Sequence, residues 1–426
     1  MAESGKTRGP SLMSQVISVE IESIAAGGDG VGRSSGLVVF VPRTAAGELV
    51  TARISGKGSF ARGSLRTIAR ASEDRIEPPC PHYTRDRCGG CQIQHIAYSA
   101  QLRAKKRIVK DAVERIGKRH AEVADVVQSD AEWRYRTKLT LAMKRASSGE
   151  WIAGLHQYDN PAKIFALSDC PITDRAVVTT WREILDKQAF FPPVQALRGS
   201  VRITGDGPVF VMMGGMRWSN ASGFFDSVKS LVAAWWENDE GYRRPIGDRR
   251  PKRSLQPPAA SFAQVNAEVA TNLRKHVIAT VSAYSPKTIV DAYSGSGDTA
   301  IALAKAGAKV TAIELDNDSA RWCALHLTEG SVSLRARVEE VLARSLPADA
   351  VILNPPRSGT DARVTEILNE ANEKPRVIAY ISCNPATLAR DIARLPGYRV
   401  ESLVPFDMFP QTAHIETVCK LVPEAA

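Results

Sequence analysis

Apolar positions change rhythm three times along this 426-residue chain. Between Gln15 and Arg70 they come in short alternating segments, Val16, Ile17, Val19, Ile21 and later Leu37 to Val41, separated by glycine turns. Short strands with one inward side and tight turns predict a small β-barrel. Its turn Gly27-Gly28-Asp29-Gly30-Val31-Gly32-Arg33 is expected to use positive φ angles and to leave backbone amides exposed beside an arginine. Tyr98 to Arg119 reads as a helix. Strand-like pieces at 138–143, 151–156, 163–167, 201–204 and 209–213 then predict a central antiparallel sheet. Beyond Phe262, strands and helices alternate, which predicts a parallel α/β sheet. The expected divisions are a loose tail at 1–13, a barrel at 14–72, a cysteine loop and central domain at 73–242, an exposed basic connection at 243–258 and the α/β domain at 259–426.

Charge adds a partner to this plan. Lys and Arg exceed Asp and Glu by 56 to 46, giving a net charge of +10, and an excess of that sign suits a polyanion such as RNA. Eight Lys or Arg residues fall between Arg103 and Arg119, so one helix face should be strongly positive. The neighbouring Trp133-Arg134-Tyr135-Arg136-Thr137-Lys138 could combine stacking with phosphate contacts. No apolar run reaches the roughly 18 residues a membrane helix needs, and Met1 to Met13 lacks the apolar centre of a secretion signal. A cytoplasmic protein is expected, with a monomer as the default.

Seven cysteines in a reducing compartment suit ligands or nucleophiles better than disulfides. Cys80, Cys88 and Cys91 are spaced C-x7-C-x2-C around Gly89-Gly90, and Cys170 follows in the sheet domain. Four thiolates complete either a structural zinc site or a [4Fe-4S] cluster, and spacing alone does not choose between them. The C-x3-C-x2-C pattern of radical clusters is absent, so a fully ligated structural cluster is the better expectation.

In the α/β domain, the strand Thr288 to Tyr293 runs into Ser294-Gly295-Ser296-Gly297-Asp298. Gly295 and Gly297 permit a sharp turn against a nucleotide-like ligand, and Glu314, closing the next strand, is placed to accept hydrogen bonds from ribose hydroxyls. With Ala300 these glycines also satisfy a dinucleotide pattern. The later strand ends separate the two readings. Asp349 to Leu353 ends in Asn354-Pro355-Pro356-Arg357, a stiff turn that places Asn354 where nucleic-acid methyltransferases hydrogen-bond a target base. Arg376 to Ile381 ends in Ser382-Cys383-Asn384-Pro385, with Asn384 as N-cap and Pro385 as first helical residue. A thiolate at Cys383 should be stabilised by the positive end of that helix. Glu416 opens the last strand, where a carboxylate among apolar residues needs a partner or a task. A thiolate that attacks carbon 6 of uracil makes carbon 5 nucleophilic, and a base must then remove the carbon 5 proton. Cys383 and Glu416 supply this pair, on a base flipped out of its stack. An exocyclic-amine methyltransferase has no use for them, and a non-catalytic RNA-binding protein keeping the barrel, the cysteines and an inactive α/β domain would fail to bind the methyl donor.

The glycine-turn barrel resembles a TRAM domain, an OB-like RNA-binding fold. Cys80, Cys88, Cys91 and Cys170, the segment Ser261-Phe262-Ala263-Gln264-Val265-Asn266, Asp291 to Gly297, Glu314, the Asn-Pro-Pro-Arg turn, Ser382 to Pro385 and Phe409 to Glu416 together resemble the RNA uracil-5 methyltransferase family. The likeness is to its TRAM-containing, iron-sulfur members that act on 23S ribosomal RNA. The resemblance implies a Rossmann-like class I methyltransferase domain, with Gln264, Tyr293 and Glu314 on S-adenosylmethionine, Cys383 as nucleophile, Glu416 as base and a [4Fe-4S] cluster on the four other cysteines. Asn354 departs from it, because the family usually has Asp there. Transfer-RNA relatives typically lack barrel and cluster, so ribosomal RNA is the substrate the resemblance favours.

Overall fold

A computed structural model describes residues 12–56, 60–250 and 264–424. The segment Ser261 to Ala263 and most of the expected tail lie outside them. Three sheets follow one another along the chain. Leu12–Ile24, Gly30–Ser34, Leu37–Val41, Leu49–Gly56 and Phe60–Arg70 close into a barrel around Val19, Ile21, Val39, Val41, Val50, Ala52, Ile54 and Ala61. Two expectations change here. The first strand already begins at Leu12, inside the expected tail. In the glycine turn Gly28 has a positive φ, 87°, whereas Gly30 and Gly32 are needed for close approach: a Cβ on Gly32 would lie 2.1 Å from the Glu20 carbonyl oxygen.

The central sheet has seven strands. Arg243–Asp248, Ala233–Glu237, Gly207–Met213, Ala196–Thr204, Lys138–Arg145, Trp151–His156 and Ile164–Ala166 lie in that spatial order. It is antiparallel except where Gly207–Met213 runs parallel to Ala233–Glu237. The basic stretch after 242, expected as a connection, begins as the edge strand of this sheet. Pairing with Ala233–Glu237 satisfies its backbone groups despite Pro245 and the charges, which an edge strand tolerates.

The third sheet is ordered Val332–Arg335, Lys309–Glu314, Thr288–Ala292, Ala350–Leu353, Val377–Ser382, Glu416–Pro423 and Tyr398–Phe406. All strands are parallel except Glu416–Pro423, which is antiparallel to both neighbours. Apolar groups pack both faces, as a doubly wound sheet requires. Winding reverses direction at Thr288–Ala292, so ligands belong at the carboxyl ends of the strands around it.

The basic helix spans Tyr98–Arg115, ending before Gly117. Several of its charges pair with carboxylates while remaining exposed. Arg103 bonds Asp74, Lys106 bonds Asp125, and Arg107 and Arg115 both pair with Asp111. Lys105 is fully buried. Gln101, Lys105, Ile108, Val109 and Val113 form the inward stripe, and Val109 and Val113 share a core with Leu388 and Ile392.

Candidate active site

The turn after Thr288–Ala292 alternates left-handed residues, with Tyr293 at φ 61°, Gly295 at 56° and Gly297 at 80°. Such alternation points successive amides toward one side and suits an electron-rich ligand. The two glycines serve different ends. A Cβ on Gly297 would lie 2.3 Å from the Cys323 sulfur, whereas one on Gly295 would meet nothing within 4 Å. Gly295 therefore borders open space beside Glu314, whose Oε2 accepts from Gly295 N at 2.9 Å and whose Oε1 accepts from Asp316 N at 2.7 Å. Tyr293 turns its ring against the core beneath. Under the turn Asp291 is 2 % exposed, and burial raises its carboxyl to about 7.

Asn354 follows Ala350–Leu353 with its amide donating to Ala292 O at 3.2 Å, which fixes the Asn-Pro-Pro-Arg turn beside the glycine turn. The carbonyl of Arg357 then accepts from Asn384 Nδ2 at 3.2 Å and Thr387 Oγ1 at 3.3 Å. The turn is thereby tied to the start of the helix Pro385–Ala393, where Asn384 caps Ala386 N. Cys383 stands half-buried at that start, as the capping pattern predicts. Its thiol differs from expectation. Burial first, then the nearby Glu416 carboxyl, raises its pKa, against a hydrogen bond and positive charge from Arg357. The helix end alone does not yield a free thiolate in the ligand-free protein.

Glu416 is 4 % exposed, and burial raises it to about 7, opposed by Arg357 and a hydrogen bond from the Gln264 side chain. Two residues earlier, His414 is lowered to about 4 by partial burial and then by the cations Arg357, Lys105 and Arg136, so it is neutral at physiological pH. Arg357 belongs to the Asn-Pro-Pro-Arg turn, and sequence alone assigned it no role. Its charge favours the ionised form of both the Cys383 thiol and the Glu416 carboxyl, and its signal was its place in a turn already singled out.

The four other cysteines also come together. Cys80, Cys88, Cys91 and Cys170 are buried around one cavity of about 160 Å³, shared with His82, Gln94, Arg136 and Thr173. Among the described residues no three His, Cys, Asp or Glu side chains are arranged to hold a metal ion. Burial raises the Cys88 thiol to about 11 and pushes Cys91 up further. Arg43, from the barrel, donates to Cys88 O at 2.6 Å and stacks 3.3 Å over the Tyr83 ring, while its Nη1 is buried without a partner. Arg134 holds Asp169 through two bonds of 2.8 and 2.6 Å and donates to Cys170 O at 3.0 Å. Together with Tyr135, which donates to Pro410 O at 2.9 Å, it makes part of the expected RNA-stacking segment an internal brace.

A glycine turn at the switch point, a helix-capped cysteine and a carboxylate strand on this seven-stranded sheet define a class I methyltransferase. Models of known families agree. The tRNA (uracil-5-)-methyltransferase family matches residues 320–422 and the TRAM domain residues 10–65. An uncharacterized RNA methyltransferase of Listeria monocytogenes is 32% identical, the match covering 96% of this chain and 97% of that protein. Another, from Halalkalibacterium halodurans, is 30% identical over 98% and 99%. The crystal structure of Pyrococcus abyssi tRNA (uracil-54, C5)-methyltransferase with S-adenosyl-L-homocysteine superposes with a TM-score of 0.70 at 25% identity, covering 95% of this chain and 99% of that one. The chain belongs to the TRAM-domain RNA uracil-5-methyltransferase family and is an S-adenosylmethionine-dependent RNA methyltransferase. The archaeal enzyme corrects one expectation: a protein acting on transfer RNA can share nearly the whole of this architecture.

Proposed function

We propose that the protein methylates carbon 5 of a uridine in structured RNA through a covalent adduct at Cys383. The observation that carries this reading is the convergence of Cys383, Arg357 and Glu416, from three strand ends, at the edge that holds the cofactor turn. S-adenosylmethionine supplies the methyl group as a sulfonium, held by the glycine turn at Gly295 and Gly297 with Glu314, Tyr293 and Asn354 around it. Arg357 favours the Cys383 thiolate, which forms a bond to carbon 6 of the uracil and makes carbon 5 nucleophilic. After carbon 5 gains its methyl, Glu416 takes the carbon 5 proton, and the electron pair of that bond expels the Cys383 sulfur from carbon 6. A carboxyl near 7 suits the task, because it is basic enough to accept the proton and still half ionised at neutral pH.

Four cysteines gathered around one cavity support, as part of this reading, a [4Fe-4S] cluster. Four buried thiols, each disfavoured as a thiolate by burial, face one space, whose wall also carries the cation Arg136. Cys80, Cys88, Cys91 and Cys170 would hold the cluster, which when bound supplies the positive iron needed to keep four thiolates underground. Its role here is structural, joining the 80–91 loop to the sheet domain through Cys170.

For the substrate we favour 23S ribosomal RNA, on the sequence resemblance to members with both barrel and cluster. Transfer RNA is the second reading, favoured by the archaeal structure. The deciding experiment incubates anaerobically purified protein with S-adenosylmethionine and unmodified 23S rRNA or tRNA transcripts and identifies the nucleosides by mass. 5-Methyluridine in rRNA alone, lost with Cys383→Ala, supports the whole reading. Its appearance in tRNA alone overturns the substrate, and methylation surviving in Cys383→Ala overturns the mechanism.

A further inference from the structure

Between the cysteine cavity and Glu416 runs the loop 407–415, and its fastenings come from distant parts of the chain. Gln411 lies at its centre, 1 % exposed and with φ 70°. Gln101 Nε2 donates to Gln411 Oε1 at 2.9 Å, and Gln411 N donates to Gln101 Oε1 at 3.0 Å. The Gln411 carbonyl accepts from Ile93 N at 3.2 Å. Ala413 N donates to Gln92 Oε1 at 3.4 Å, and Gln92 is itself fixed by donating from Nε2 to Gly89 O at 2.9 Å. Lys105 Nζ bonds Asp407 at 2.5 Å and Phe409 O at 3.0 Å. The barrel closes on the same point, since a Cβ on Gly28 would lie 2.4 Å from Gln92 Cβ and 3.3 Å from Ala413 Cβ.

Simple passage between two strands asks for none of this. A left-handed non-glycine residue is strained and persists only where its surroundings over-determine it. Here the surroundings are the buried Gln101, the buried Lys105 and the loop that carries Cys88 and Cys91. The loop so fixed delivers Glu416, whereas Cys383 is delivered by a separate helix start tied to Arg357.

We propose that Gln411, clamped by Gln101 and the cysteine-bearing loop, is a positioning residue for Glu416, so that the 88–93 segment governs proton removal from carbon 5 and leaves thiolate addition alone. This rests on the reading of Glu416 as the base. Misplacing a reacting group by about 1 Å can cost on the order of 100-fold, and here the loss falls on one half of the reaction. Methylated RNA then stays joined to Cys383, because the sulfur is not expelled until the proton goes.

The test uses the full-length protein with the RNA it methylates. Gln101→Leu removes the clamp at similar size, and Gln411→Gly removes the side chain while accepting the left-handed backbone. Both are expected to lower kcat by about tenfold or more, to leave KM for RNA within about twofold, and to accumulate a methylated protein–RNA adduct stable in denaturing gels. Wild-type kcat in both variants overturns the proposal, and so does a lowered kcat without adduct, which would mark general loosening. Glu416→Gln on the same gel separates the two levels. If it accumulates adduct while Gln101→Leu and Gln411→Gly behave as wild type, the positioning role alone fails; if it accumulates none, the base assignment fails and takes the positioning role with it.

Discussion

The Glu416 carboxyl lies close enough to the Cys383 thiol to raise its pKa, although the two residues enter the site on different strands. A negative charge beside a nascent thiolate is unfavourable, and the positive charge of Arg357 offsets it by lowering the pKa of thiol and carboxyl together. Nucleophile and base are therefore electrostatically linked through one guanidinium.

That linkage sets a pH dependence. Glu416 must be ionised to accept a proton, and its pKa is raised to about 7, so kcat should climb with pH through a limb centred near 7 and level off above it. A kcat profile between pH 5.5 and 9 checks this, and a limb centred near the ordinary glutamate value of 4.5 would count against Glu416 as base.

Removing the cation should move the same limb. In Arg357→Met the charge that lowers Glu416 and Cys383 is gone, so both groups rise and the limb shifts to higher pH. At pH 7 the rate should fall by about 100-fold, within the range a general-acid–base contribution spans, with partial recovery by pH 9. Equal losses at every pH would show that Arg357 acts on RNA binding instead.

Asp291 predicts a stability effect. Its carboxyl is raised from 3.8 to about 7 by burial, so the folded state favours the protonated form. That contribution is complete below the unfolded value near 3.8 and is lost as pH rises through the folded value near 7. Asp291→Asn, neutral throughout, should lose less melting temperature than wild type between pH 5.5 and 8 when both are measured without S-adenosylmethionine. Parallel melting curves would disprove it.

The buried pair Lys105 and Asp407, both 0 % exposed, predicts a large penalty for half its removal. Lys105→Met leaves a buried carboxylate without its cation and should destabilise the fold by about 3–5 kcal/mol, whereas Lys105→Met with Asp407→Leu should recover much of that. Thermal melts of the singles and the double measure the difference.

The cofactor turn separates two glycines. Gly297→Ala drives a Cβ into the Cys323 sulfur at 2.3 Å and should lower the melting temperature. Gly295→Ala meets no neighbouring atom but places a side chain on left-handed backbone at φ 56°, so it should lower the melting temperature less than Gly297→Ala and bind S-adenosylmethionine more weakly. Calorimetric titration of both variants distinguishes them, and unchanged affinity in Gly295→Ala would place the cofactor elsewhere.

Much of this protein was determined by sequence alone, and the reason is local. Short strands broken by glycine, alternating strands and helices, an Asn-Pro start to a helix and a carboxylate opening an apolar strand are patterns whose causes lie within a few residues. They located the barrel, the α/β sheet, the cofactor turn, Cys383 and Glu416. Tertiary structure decided what depends on who faces whom. Charge counts along the basic helix do not show which carboxylates lie opposite; folding pairs Arg103, Lys106, Arg107 and Arg115 at the surface and buries Lys105. The one sequence clue was that Gln101 and Lys105 share a helical stripe with Ile108, Val109 and Val113, a place where a polar side chain must find a partner. That partner is the loop before Glu416, some 300 residues later, a distance at which the periodicity of a helix carries no information. The thiol of Cys383 follows the same division: capping chemistry fixes where it stands, but burial and the neighbouring carboxylate, which only the assembled site brings, decide its charge.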